Sequence, residues 1–143
     1  MSTSRNQVVV HFKNGNVVKG FTHDFTPVKD HFHLNTGGEE GSGDITQIQM
    51  VDLKAVFFVK SLSGDRTYIE KKFFEQVDDS RLRGLKLRVV FNDGEIVRGI
   101  SLGYDRKKKG FFMVPVDPDC NNDRIFVLAD ACRDIKVGEF AKA

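Results

Sequence analysis

The chain has no tryptophan, two tyrosines, three prolines and two cysteines in 143 residues, and none of its apolar runs approaches the length of a membrane span. Each shortage narrows the field. Cys120 and Cys132 stand far from any Cys/His quartet, so zinc is not indicated. Nothing in their spacing calls for a disulfide, and reduced thiols are the default expectation. Proline is scarce while glycine numbers 13, the balance of a folded chain with many turns rather than a disordered one. Charge of one sign is also missing: 22 Lys and Arg against 20 Asp and Glu leave a formal +2, which does not point to a nucleic-acid or membrane partner. The opening MSTSRNQ lacks a hydrophobic signal core, so a soluble, cytoplasmic protein without a membrane partner is expected. No Gly-rich phosphate loop, nucleophile elbow, Ser/His/Asp or Cys/His set, or pair of carboxylates in an obvious cleft can be found. The expectation is therefore a protein that is not an enzyme and needs no cofactor.

What is present is a repeat. Residues 8–25 read VVVHFKNGNVVKGFTHDF and residues 87–104 read LRVVFNDGEIVRGISLGY. Each is an alternating apolar run, an Asn-Gly or Asp-Gly turn, and a second alternating run, which is the signature of a β-hairpin. Sliding the chain over itself by 79 positions, without a gap, brings Val10 onto Val89, Phe12 onto Phe91, Gly15 onto Gly94, Gly20 onto Gly99 and Phe25 onto Tyr104. Further on, Phe32 meets Phe111, Leu34 meets Met113 and Val56 meets Ile135. Gly15 and Gly94 fall where a tight turn needs positive φ. Gly20 and Gly99 fall inside strands, where glycine marks a bend, a bulge or a close backbone approach.

Each copy continues in the same order. A third strand is expected over Phe32–Leu34 and Phe111–Val116, a fourth over Ile45–Met50 and Arg124–Leu128, and a fifth over Leu53–Lys60 and Cys132–Val137. Five short strands with a bent second strand describe a small SH3-like barrel. The expected fold is all-β: two tandem five-stranded SH3-like or Sm-like barrels from an internal duplication, packed together. The first spans residues 5–60, a linker spans 61–85, and the second spans 86–138. Within the linker, a short helix or an extra strand is expected over Tyr68–Gln76, although its apolar spacing fits neither template well. Ala55–Val59 and Phe111–Val114 are apolar at successive positions, so both faces of these strands should be covered. Docking of the two barrels is the first expectation for that cover and a homodimer the second, so a monomer or a homodimer is expected.

The pattern V-x-F-x-D-G-x-x-x-x-G-x-x-x-x-Y-D over Val89–Asp105 resembles the first half of the Sm/LSm motif, and it occurs twice. The RNA site of that family does not carry over: Asp105 is followed by Arg-Lys-Lys-Lys-Gly without an Asn, and Ala129-Asp130-Ala131 stands where an Arg-Gly turn belongs. As a whole, through LKAVFFVK (53–60) and GFFMVPVDPDCNNDRIFV (110–127), the chain resembles an uncharacterised bacterial family of tandem small β-barrel domains found alone or beside signalling modules such as PilZ. That resemblance implies the architecture and, by association, a regulatory role; it implies no activity.

Four groups of residues are candidates for chemistry. His23, His31 and His33 could converge on one face of paired strands as zinc or nickel ligands, but a solvated face is the plainer expectation, and no metal is assigned. Asp117-Pro-Asp119-Cys-Asn121-Asn122-Asp123 begins like a calcium loop, yet the sixth position is Asn122 rather than Gly and the twelfth is Leu128 rather than Glu. A turn is favoured; if the second repeat holds a ligand, Asp119, Asn121, Asn122 and Arg124 are the residues to test. Arg106, Lys107, Lys108 and Lys109 form a basic loop tip that could meet phosphate, with Arg81, Arg83, Lys86 and Arg88 as a second basic group. Asp78-Asp-Ser80-Arg-Leu-Arg-Gly84 approaches the Asp-x-Ser-x-x-Gly turn of a PilZ site but places its Gly one residue late. These features make a non-catalytic binding or adaptor module in bacterial regulation, engaging a protein or peptide, the first expectation. RNA or anion binding through the basic loops is the second, and a small-molecule sensor the third.

Overall fold

The computed structural model describes residues 6–36, 44–64, 67–77, 83–101 and 103–142. Ten antiparallel strands make up the fold: β1 Asn6–Phe12, β2 Val17–Thr22, β3 His31–Asn35, β4 Ile45–Gln49, β5 Leu53–Val59, β6 Lys86–Phe91, β7 Ile96–Ser101, β8 Gly110–Pro115, β9 Asn122–Leu128 and β10 Cys132–Val137. Short 3₁₀ turns at Met50–Asp52 and Ala129–Ala131 join the fourth strand of each half to the fifth. Among the described residues there is no α-helix, and no helix is long and apolar enough to cross a membrane.

The two halves arrange their strands alike, β5-β1-β2-β3-β4 and β10-β6-β7-β8-β9. Local contacts repeat at the same offset. Gly15 and Gly94 take φ of 94° and 96°, and their N–H groups donate to the carbonyls of Phe12 and Phe91 at 3.0 and 2.9 Å. The side chains of Asn14 and Asp93 each accept a hydrogen bond from the backbone N–H two residues on, at 2.9 Å in both turns. Lys13 N–H donates to the Asp52 carbonyl and Asn92 N–H to that of Ala131.

The strands do not, however, separate into two packed barrels. They form one open ten-stranded sheet, because β5 pairs on both edges: with β1 through Val8↔Phe58 to His11↔Ala55, and with β9 through Ala55↔Val127 to Phe58↔Arg124. All seven residues of β5 are buried. A strand so placed has no water for its outer N–H and C=O groups, so its second edge needs a second strand. The halves thus meet edge to edge through the backbone of β5, and the side chains of Ala55–Val59 lie in a core that draws on both halves. The companion expectation for Phe111–Val114 is met in part: Phe111 and Met113 are buried, while Phe112 and Val114 are half-buried, Phe112 against Phe58 and Phe126.

At the joint Phe25 stands edge-on to Phe32, Phe58 and Phe126 at 5.1–5.2 Å between centroids and to Phe112 at 6.0 Å. The core runs unbroken through it, from Val8, Val10 and Phe32 in the first half to Met113, Ile125 and Val127 in the second. Lys54 of β5 is nearly buried over the Phe91 ring, and its ammonium donates to Asp93 at 2.6 Å and Glu95 at 2.5 Å in the second half's first turn. Residues 67–77 are neither helix nor strand apart from a 3₁₀ turn at Phe74–Gln76, whose buried Phe74 packs with Ile100, Val116 and Ala141.

The mid-strand glycines serve a close approach. A Cβ on Gly20 would stand 2.6 Å from the Asn35 carbonyl oxygen, and one on Gly99 would collide with that of Val114. Gly20→Ala is expected to cost about 1–3 kcal/mol in urea unfolding, since neither backbone can yield. Gly94→Asn, in open space with a residue that tolerates positive φ, is expected to cost under about 1 kcal/mol. Equal losses at the two positions would refute the close-approach account.

Candidate functional site

A concavity of about 470 Å³ lies where the halves meet. The 27–30 segment before β3 and the Met50–Asp52 turn form one side; the start of β8 and the end of β9 form the other. Backbone bonds hold the two walls in the same way, Met50 N–H to the Asp30 carbonyl and Ala129 N–H to the Lys109 carbonyl, both at 2.8 Å. Met50, Phe126 and Leu128 give the cleft an apolar floor. Val28 and Val51 stand at its rim, 90% and 68% exposed, where water has not been excluded from them. The rim charges are mixed: Lys29 and Lys109 against Asp30 and Asp130. The His31 ring beside Asp30 holds its carboxyl below the usual carboxylate range, and Lys109 adds to this. Asp130 is paired with Lys13 at 3.0 Å. An apolar floor with alternating charge at the edge can take an amphipathic segment; it offers no focused field for a polyanion.

Of the sequence candidates, only Lys109 lines this cleft. Arg106, Lys107 and Lys108 extend from the same loop into solvent. In the second basic group, Lys86 lies over the Phe74 ring and Arg88 reaches Asp134 at 3.9 Å, while Arg81 lies outside the described residues. So do residues 78–82 of the Asp78–Gly84 turn.

The polar loop before β9 is built into the scaffold. The Asn121 side chain accepts from Ser61 N–H at 3.1 Å and donates to the Ser61 carbonyl at 2.9 Å, extending the β5–β9 ladder by one rung. Arg124 stacks over Phe58 and Phe112 at 4.3 and 5.2 Å. Asp119 and Asn121 line a smaller recess with Tyr68, whereas Asn122, the first residue of β9, does not. Asp117 is the buried centre of this region. Burial pushes its carboxyl up, but donors from Lys71 N–H at 2.9 Å, Tyr68 OH at 2.6 Å and Asp119 N–H at 2.9 Å outweigh it and hold the group below the usual range.

His31 and His33 meet edge to face at 5.7 Å, but each is engaged by its own carboxylate: His31 Nδ1 with Asp30 at 2.8 Å and His33 Nδ1 with Asp24 at 2.6 Å. His23 is exposed. Among the described residues no three His, Cys, Asp or Glu side chains are grouped to hold a metal ion. Both cysteines are free, and burial pushes the Cys132 thiol up to about 12, far from the thiolate that ligation or nucleophilic attack needs. The cleft's apolar residues were not singled out by sequence. The available signal was valine in two short connections, Thr26-Pro27-Val28 and Met50-Val51-Asp52, where polar residues are the rule.

The Tyr68–Asp117 bond makes a pH-dependent clasp on the linker. Its hydrogen bond to Asp117 pushes the Tyr68 hydroxyl up to about 12 from 10. A group with a raised folded pKa contributes stability that is complete below pH 10 and is lost as pH rises through 12. An absorbance titration of phenolate should therefore show Tyr68 ionising late, and Asp117→Asn should return it towards 10. An unchanged titration in that variant would remove the clasp.

A model describing a family of unknown function, DUF6982, matches residues 4–138, and the chain belongs to that family. No curated protein and no solved structure matches the chain.

Proposed function

We propose that this family member is a non-catalytic binding module that seats a segment of a protein or peptide partner in the cleft between its halves. The observation that carries this is the exposure of Val28 and Val51 at the rim of an apolar cleft. Exposed apolar side chains around a concavity are what a partner's side chains would cover. The mixed-sign rim suits a peptide carrying both charges better than a polyanion. Each half is read as a five-stranded SH3-like or Sm-like unit that has curled without closing; the shared strand order and the recurring turn contacts support that reading. The bacterial, regulatory setting rests on the family resemblance alone.

A second reading has one observation in its favour. Lys109 reaches the cleft from a loop whose Arg106, Lys107 and Lys108 are exposed, so an RNA or other phosphate-bearing ligand could approach there. Peptides selected against the chain from a random display library separate the two. Val28→Asp and Val51→Asp should each weaken the selected peptides about tenfold, or about 1.4 kcal/mol, at low and high salt alike. Peptide affinities that ignore both substitutions would overturn the cleft reading. RNA binding that collapses as salt rises, and that is lost on replacing Arg106–Lys109, would favour the second.

A further inference from the structure

The joint between the halves pairs the fifth strand of one half with the fourth strand of the other. Among the described residues, the two outer strands of the sheet pair on one side only: β4 with β3, and β10 with β6. By repeat position β4 is the counterpart of β9, and β10 the counterpart of β5. The free edges are therefore the same two kinds of strand that meet inside the chain. We propose that these edges join copies of this chain head to tail, β10 of one copy adding antiparallel to β4 of the next in the register of the internal joint.

The backbone supports the match rung by rung. Met50 N–H bonds to the Asp30 carbonyl, and Thr36 N–H to the Asp44 carbonyl, so the even-numbered residues of β4 point their backbone groups towards β3. Alternation leaves Ile45 and Gln47 pointing theirs outward. On β6, Phe91 N–H bonds to Glu95 and the Leu85 carbonyl accepts from Ser101, so the odd-numbered residues face β7 and Arg88 and Val90 face β10. Their partners there are Lys136 and Asp134, which leaves Ile135 and Val137 pointing outward. The internal rungs are Val56↔Phe126 and Phe58↔Arg124. Moved by 79 residues, they become Ile135↔Gln47 and Val137↔Ile45. All four outward-facing residues are uncharged.

Side chains agree at one decisive point. Ile45 is 67% exposed and Val137 36%, and the transposed register sets these two exposed apolar residues opposite each other. The strand β4 carries none of the charges or prolines that blunt an edge against pairing. On β10, Asp134 lies 3.6 Å from Lys136 and 3.9 Å from Arg88 of β6, and Arg133 is exposed. The aromatic seam is not reproduced: Tyr104, Val137, His33 and Gln47 stand where Phe25, Phe58, Phe112 and Phe126 do. Association through these edges is accordingly weaker than the internal joint and reversible. The contact is also heterologous, so it propagates beyond a dimer unless its rotation closes a ring.

Sedimentation velocity of the full chain from about 1 μM to about 1 mM tests this. The mass should rise with concentration past that of a dimer. Gln47→Pro removes an outward donor without touching the β3 ladder, and Val137→Lys places a charge opposite Ile45; each alone should remain at 16.2 kDa. Each variant keeps the opposite edge intact. Mixed together they should form a species of twice the chain mass and stop there, which also shows that both are folded. Three results would overturn the proposal: a wild-type chain that stays at one mass throughout, association that neither substitution reduces, or variants that fail to complement when mixed.

Discussion

Everything in this molecule hangs on β5 being paired along both edges. Its seven residues are buried on both faces, and its two neighbours, β1 and β9, belong to different halves. Burial of each large apolar side chain is worth roughly 1.5–3 kcal/mol, so a strand of this composition cannot be left at an edge. Once β9 occupies that edge, the remaining features of the joint follow: the aromatic cluster around Phe25, the stacking of Arg124, and the nearly buried ammonium of Lys54 between two carboxylates.

The joint also makes the cleft. The segment before β3 and the turn after β4 come from the first half, the ends of β8 and β9 from the second. Neither half alone has both walls. The exposed valines at the rim are therefore a property of the assembled pair, and so is the mixed charge formed when Lys109 meets Asp30. Polar residues that looked like ligands in the linear sequence are spent elsewhere. Asn121 completes a ladder, Asp117 holds the linker through Tyr68 and Lys71, and His31 and His33 are each held by a neighbouring aspartate.

Repetition with divergence separates what is shared from what is particular. Turn glycines, Asx contacts and the backbone bonds of the fourth-to-fifth connection recur 79 residues apart. The residues of the internal joint do not. Phe112 corresponds to His33, Phe126 to Gln47 and Phe58 to Val137, so hydrophobic cover is concentrated where the halves meet and thinned at the outer edges. One sheet thus carries a permanent seam in its middle and a more polar copy of the same edge chemistry at its two ends.

Sequence by itself determined the local structure. Alternation located both hairpins and placed the third to fifth strands of each half within two residues, with Cys132–Val137 matching at both ends. Asn-Gly and Asp-Gly located the hairpin turns, and Gly20 and Gly99 marked the close approaches; each is a matter of φ, pleat and steric room within a few residues. Tertiary structure alone decided whom β5 pairs with. A run such as Ala55–Val59 states that both side-chain faces must be covered, but it does not say which strand takes the outer backbone edge, and that strand lies some 70 residues away. The cleft was hidden for the same reason, since its walls are far apart in sequence. The roles of Asn121 and Arg124 were hidden too, because a polar side chain in a loop reads alike whether it meets a ligand or the chain's own backbone and rings.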